Sequence, residues 1–211
     1  IKRALSAMMV LWEGLPYRLV VIEKPIGSFS INSPILREIE ISSLDLDHST
    51  ECLGYSLYFK RNREFDPDKA LENQVPKRLW RHLQAGQTFY VDDVSYTPDM
   101  VLGKPRPGIK FSYITDTRPI DAIIPFIESS RLFVCEAMYG DDLDIGKAVK
   151  NKHMTFREAA NLAYRGQVDQ LLLTHYSPSL DSPSDYIENA SSVFKNTSLA
   201  YDGINISIGY P

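Results

Sequence analysis

Histidine and carboxylate recur in this chain at one kind of place, the point where an apolar run stops. "LDLDH" delivers Asp47 and His48, "ITDTRP" delivers Asp116 and Arg118, "CEAMYG" delivers Glu136, and "LLLTHYSP" delivers His175. Imidazole nitrogen and carboxylate oxygen are the donors that suit zinc or manganese. Taken singly, each has an ordinary use. Asp116 suits a helix N-cap, Glu136 a salt bridge, and His175 a hydrogen-bonded loop. Four strand ends that each supply a His or a carboxylate favour a shared site over four separate ones. A further histidine, His153 in "NKHMTFREAA", precedes Thr155-x-x-Glu158, a capping-box pattern that starts a helix at Thr155. There the positive end of the helix dipole disfavours an imidazolium. A carboxylate such as Glu136 is then needed beside His153 for it to carry a proton. His82, next to Arg81, reads as a surface residue.

Positioning these residues takes a sheet. "IKRALSAMMVLWEGLP" has the pattern of an amphipathic helix ended by Gly14 and Pro16, and "RLVVIEK" (18–24) suits a strand. "ILREIEISSLDLDH" (35–48) alternates with period two, and "LGYSLYF" (53–59) reads as its hairpin partner. Residues 60–108 are polar and rich in Pro, Lys and Arg. They carry two short helical stretches ("DPDKALEN", "PKRLWRHLQ") and a short strand at "TFYV", and read as an arm that leaves the core. An α/β rhythm then returns. Strands are expected at 109–115, 131–136 and 169–175, helices at 119–129, 155–166 and 184–194, and a hairpin at 199–209 turning on Asp202-Gly203. Strands separated by single helices predict an α/β fold with a largely parallel or mixed sheet. Ligands in such sheets collect outside the C-terminal strand ends, where His48, Asp116, Glu136 and His175 fall.

The totals narrow the class. The 211 residues are 44% hydrophobic and 24% charged, with a formal net charge of −4, an ordinary globular composition for one domain with an insertion. That charge argues against polyanion binding by the chain as a whole while leaving room for a local basic patch. Two cysteines, Cys52 and Cys135, make no disulfide framework and fit a reducing cytoplasm. No apolar run has the length of a membrane span, so no membrane partner is expected. Ile1 opens the chain without a methionine, and the chain is expected to be part of a longer protein.

"LDHSTECLGYSLYF", "YITDTRP", "CEAMYG", "KHMTFREAA" and "LLLTHYSPSL", in this order and spacing, resemble the C-terminal part of ribonuclease Z. That family is the tRNA 3′-processing endonuclease of the metallo-β-lactamase superfamily, and the resemblance covers essentially the whole chain. It implies the C-terminal part of a metallo-β-lactamase αββα sandwich, one truncated domain (1–211) with an arm at about 60–108. It implies that His48 and His175 are terminal ligands of two metal ions and that Asp116 bridges them. The ions would be Zn2+, two per active site in the full-length protein, with Mn2+ or Mg2+ as alternatives. Glu136 matches the glutamate of the family's "HEAT" loop, with Cys135 where His is common. His153 matches the histidine of the "HST" loop, with Met154 in place of Ser. The pair would pass a proton to the leaving oxygen.

The implied activity is removal of the 3′ trailer from tRNA precursors by a cytoplasmic homodimer, with the arm gripping the tRNA. Lys60, Arg61, Arg63, Lys77, Arg78 and Arg81 crowd that segment around Trp80, interspersed with Glu64, Asp66, Asp68 and Glu72. The superfamily's His-x-His-x-Asp-His is absent from these residues, and in the family it lies upstream of what is here Ile1. The fragment by itself is therefore expected to hold about half of a dinuclear site and to be inactive without that segment. Two other readings share the residues. One is a different metallo-β-lactamase-fold phosphodiesterase or sulfatase, which the arm and the two proton-transfer loops oppose. The other is a non-catalytic RNA-binding or dimerisation module, for which ligands at strand ends would have no physical use.

Overall fold

A computed structural model describes residues 2–11, 21, 23, 26–33 and 37–210. The chain begins with helix α1 (Lys2–Leu11). Strand β1 (Ser28–Ser33), unforeseen from its serine-rich sequence, pairs antiparallel with β2 (Arg37–Asp45). The strand expected at 18–24 falls almost wholly outside the described residues. β3 (Leu53–Arg61) is the antiparallel partner of β2, in the register Ile41↔Leu57. Gly54 has a steric reason, since a Cβ there would meet Ile114 Cδ1 at 2.5 Å.

The segment between β3 and the next strand of the main sheet is slightly shorter than the arm expected, because β3 continues through Lys60 and Arg61 and the sheet resumes at Arg106. Between them lie α2 (Pro67–Glu72), α3 (Trp80–Gln84), and the strands β4 (Phe89–Val91) and β5 (Val94–Tyr96). β4 and β5 form a hairpin where one strand was expected. Its turn residues, Asp92 and Asp93, both have positive φ, 49° and 61°, the conformation a tight hairpin needs and one that Asp tolerates. The arm has its own small core of Ala70, Val75, Leu79, Leu83 and Val101, with Phe65 and Trp80 packed on it. Asp66 caps α2 by accepting from the Lys69 amide at 3.0 Å.

β6 (Arg106–Ile114) pairs antiparallel with β3, and the strands that follow it are added in parallel. α4 (Ile123–Ile127) is shorter than the 119–129 helix expected, because Pro125 lacks the amide that would bond back to Asp121. Then follow β7 (Leu132–Glu136), α5 (Ile145–Asn151), α6 (Phe156–Arg165) and β8 (Leu171–Thr174). The helix expected at 184–194 is a 3-10 turn at Pro183–Tyr186 followed by α7 (Glu188–Ser191). The chain's last strand, β9 (Thr197–Leu199), lies parallel to β8. The hairpin expected at 199–209 does not form. Asp202-Gly203 makes a turn, but residues 200–210 have no strand, since their upstream arm is used at the sheet edge.

The sheet order is β1-β2-β3-β6-β7-β8-β9. One face of it, carrying Ile114, Phe133, Cys135, Leu171 and Leu173, packs on Ile123 and Ile127 of α4 and on Phe156, Ala159, Ala160 and Ala163 of α6. These side chains are almost fully buried, worth about 1.5–3 kcal/mol for each large one. On the other face, Tyr55, Tyr113, Val134 and Leu172 stand in one row across four strands, with both tyrosines exposed.

Candidate metal centre

The C-terminal ends of β2, β6, β7 and β8 converge, and the loops after them are laced together. Asp47 donates its amide to Thr117 Oγ1 at 3.0 Å, and the Arg118 amide donates to the Asp47 carbonyl at 3.0 Å. The Thr117 amide donates to Glu136 Oε1 at 3.0 Å. The Arg118 guanidinium bonds the His153 carbonyl and forms an ion pair with Glu158. Glu158 also closes the capping box with Thr155 at the start of α6. The 116–118 turn therefore ties His48, Glu136 and His153 into one frame. Asp116 caps no described helix, so its carboxylate is left for the site.

Within that frame one ligand atom each from His48, Asp116 and His153 lies within 4.8 Å of the other two. His175 Nε2 is 3.3 Å from Asp116 Oδ1, close to the ~3.3 Å edge of a tetrahedron with ~2.0 Å bonds to zinc. Asp116 thus has a carboxylate oxygen near a ring nitrogen of both His48 and His175. The strand reaches that arrangement by bending: His175 follows β8 with φ 62°, a left-handed conformation of the kind held at functional positions. His48 Nδ1 lies 3.0 Å from the Lys152 carbonyl, the outer-shell contact typical of a histidine ligand. The donor set is mixed nitrogen and oxygen, half-exposed, and suited to a divalent cation.

Glu136 and His153 form the buried side of the site. His153 Nδ1 lies 3.0 Å from Glu136 Oε1, and the His153 ring sits 4.9 Å from that of His48 and 5.5 Å from that of His175. His153 is therefore inside the donor cluster. Burial pushes the Glu136 carboxyl up to about 7, although amides of Thr117, Met154 and Met138 favour the anion. Burial holds the His153 imidazole below its usual value, with Asp116 pulling the other way and His48 adding to the depression. Burial likewise pushes up the thiol of Cys135, whose place in the core leaves it inert.

The cations of the arm separate into groups. Lys60 pairs with Glu40 across the sheet at 2.8 Å, and Arg61 lies 4.9 Å over the Tyr210 ring. Arg63 fastens the arm's neck, donating to the Gly103 and Leu102 carbonyls and to Asp99. Lys77, Arg78 and Arg81 are exposed on a 3-10 turn at Lys77–Leu79 and on α3, with Lys77 5.9 Å from the Trp80 ring. His82 is also exposed there, hydrogen-bonded to Gln87. Thr117 and Lys152 escaped the sequence reading. A buried hydroxyl and a left-handed backbone leave little trace in residue type.

No family model matches the chain. Curated relatives do. It is 59% identical over 206 residues to the ribonuclease Z of Clostridioides difficile (strain 630), covering 98% of this chain and 68% of that protein. It is 46% identical over 212 residues to the ribonuclease Z of Clostridium beijerinckii, covering 100% of this chain and 69% of that one. Among solved structures, the metallo-β-lactamase fold protein YhfI from Bacillus subtilis matches with a TM-score of 0.52 at 18% identity, over 83% of this chain and 51% of that one. The chain thus spans about two thirds of the curated relatives, and the likeness to YhfI is one of fold. On the first two matches, the chain belongs to the ribonuclease Z family.

Proposed function

We propose that this chain is the part of a tRNA 3′-processing endoribonuclease that supplies His48, Asp116 and His175 to its metal site and Glu136 and His153 to proton transfer. The observation that carries this is the convergence of these five residues at one end of the sheet, in a chain whose curated relatives are named ribonuclease Z. Divalent ions, Zn2+ in our reading, would be held by His48, Asp116 and His175 and would supply Lewis-acid chemistry for the hydrolysis of a phosphodiester.

The chain's own residues do the rest. Asp116, His48 and His175 would hold the cations in place. Glu136 Oε1 faces His153 Nδ1, so the opposite nitrogen of that ring, Nε2, is the one free to give a proton to the leaving 3′-oxygen. A buried carboxyl that titrates near 7 is protonated in about half of the molecules at neutral pH, which suits it to proton exchange with His153. The product would keep a 3′-hydroxyl, and the trailer would leave with a 5′-phosphate. Exposed Lys77, Arg78 and Arg81 would meet tRNA phosphates, as a homodimer grips its substrate. Lys60, Arg61 and Arg63 would contribute at the arm's base. Two unpaired cysteines are in keeping with the cytoplasm.

The test is cleavage of a tRNA precursor by a protein containing this chain, with both new ends identified. A 3′-hydroxyl at the discriminator nucleotide is expected. Hydrolysis of a small diester with the precursor left intact would sink the substrate.

A further inference from the structure

The residue before His153 reaches across the site further than its place at a helix end requires. Lys152 closes the C-terminal end of α5 in the left-handed conformation, φ 57° and ψ 49°, which residues other than Gly, Asn and Asp seldom enter. In that geometry its carbonyl oxygen lies 3.0 Å from His48 Nδ1. Its side chain reaches the same dipeptide, with Nζ 2.7 Å from Asp47 Oδ1 and 3.4 Å from the His48 carbonyl. A carbonyl can only accept, so His48 Nδ1 must carry the hydrogen. Nε2 is then the nitrogen left with a lone pair for a cation.

We propose that Lys152 is a positioning residue for His48. Its left-handed carbonyl sets the imidazole as the Nδ1–H tautomer, and its ion pair with Asp47 adds one more tie between the loop carrying His153 and the strand end carrying His48. The proposal rests on the reading of His48 as a metal ligand for its consequence, since the fixed tautomer leaves Nε2 for a cation; the tautomer itself is set by the Lys152 carbonyl whether or not a cation binds. The two contributions are separable. Asp47 is also held by Thr117 and Arg118, so the strand end keeps its place when the lysine side chain is removed.

Long-range 1H–15N NMR of the imidazole nitrogens reads the tautomer in the chain itself, before any metal is added. Wild type should show His48 as Nδ1–H. Lys152→Gly, which enters the left-handed region without steric cost, should retain it. Lys152→Val, β-branched and excluded from positive φ, should shift His48 toward Nε2–H while His82 in the arm stays unchanged. Zn2+ affinity followed on the same signals should fall about 10- to 100-fold in Lys152→Val and hold in Lys152→Gly. An Nε2–H tautomer in wild type, or an unchanged tautomer in Lys152→Val, would overturn the proposal. Should Lys152→Val fail to fold, the wild-type tautomer and its retention in Lys152→Gly decide. An Nδ1–H tautomer with no response of His48 to Zn2+ would remove the metal reading and leave the positioning one standing.

Discussion

At the scale of single residues, His153 sits where two roles compete. Its ring lies 4.9 Å from that of His48 and 5.5 Å from that of His175, yet its Nδ1 is taken by Glu136. If it gives a proton, His153→Ala in a protein that carries the whole site should keep its metal and lose rate by on the order of 10²–10⁴. His175→Ala and Asp116→Ala should lose metal and activity together. Elemental analysis beside single-turnover cleavage separates the cases, and equal metal loss in His153→Ala would make it a ligand. Glu136 allows a pH prediction. Its folded value, about 7, lies above the ordinary 4.5 because of burial. Its stabilising contribution is therefore fully present below about 4.5 and is lost as pH rises through about 7. In that window stability should fall by up to about 1.4 kcal/mol per pH unit. Urea unfolding of wild type from pH 5 to 8 measures the slope, and a flat profile would contradict the buried acid.

At the scale of elements, the arm is a small folded unit with its own apolar core. Trp80 packs on that core, with Nε1 donating to the Val75 carbonyl at 2.9 Å. Packing Leu79 and Leu83 inward obliges the alternate positions of the 3-10 turn and α3 to face water, and those are Lys77, Arg78 and Arg81. If they meet phosphates, replacing all three with Ala should weaken precursor binding and lower the slope of log affinity against log salt by roughly 2–3, about one for each phosphate no longer neutralised. Cleavage of a small diester should be unaffected. Filter binding from 50 to 300 mM salt would show it (the range is roughly that over which such ion pairs are screened). An unchanged slope would return these cations to the role of a solvated face.

At the scale of the whole molecule, the described residues form a helical layer on one face of a mixed sheet, while Tyr55 and Tyr113 stand exposed on the other. Four candidate donors, His48, Asp116, His153 and His175, satisfy at most one tetrahedral ion. The 211-residue chain purified without chelator should therefore hold no more than about one Zn2+ per chain. Two ions per chain by elemental analysis would mean that ligands outside these residues complete a dinuclear centre. Among the described residues no helix is long and apolar enough to cross a membrane.

Much of this was legible in the sequence, for identifiable reasons. Period-two alternation marks β2 and β3, uninterrupted leucines mark β8, and Thr155-x-x-Glu158 marks the start of α6, because local sterics and capping act within a few residues. The strand ends therefore located His48, Asp116, Glu136 and His175, and the capping box located His153. What escaped was decided at a distance. β1 forms from "SFSINS" because β2 offers it an edge, whereas residues 200–210 stay out of strands once β9 takes its place beside β8. Lys60 and Arg61 looked like arm cations until the register of β3 against β6 drew them into the sheet. The tertiary structure alone brings Lys152 to His48, across 104 positions, and sets Glu136 against His153 out of water. Residue type states which chemistry is available. Which nitrogen is left free, and where a carboxyl titrates, depends on neighbours and burial that only the folded chain supplies.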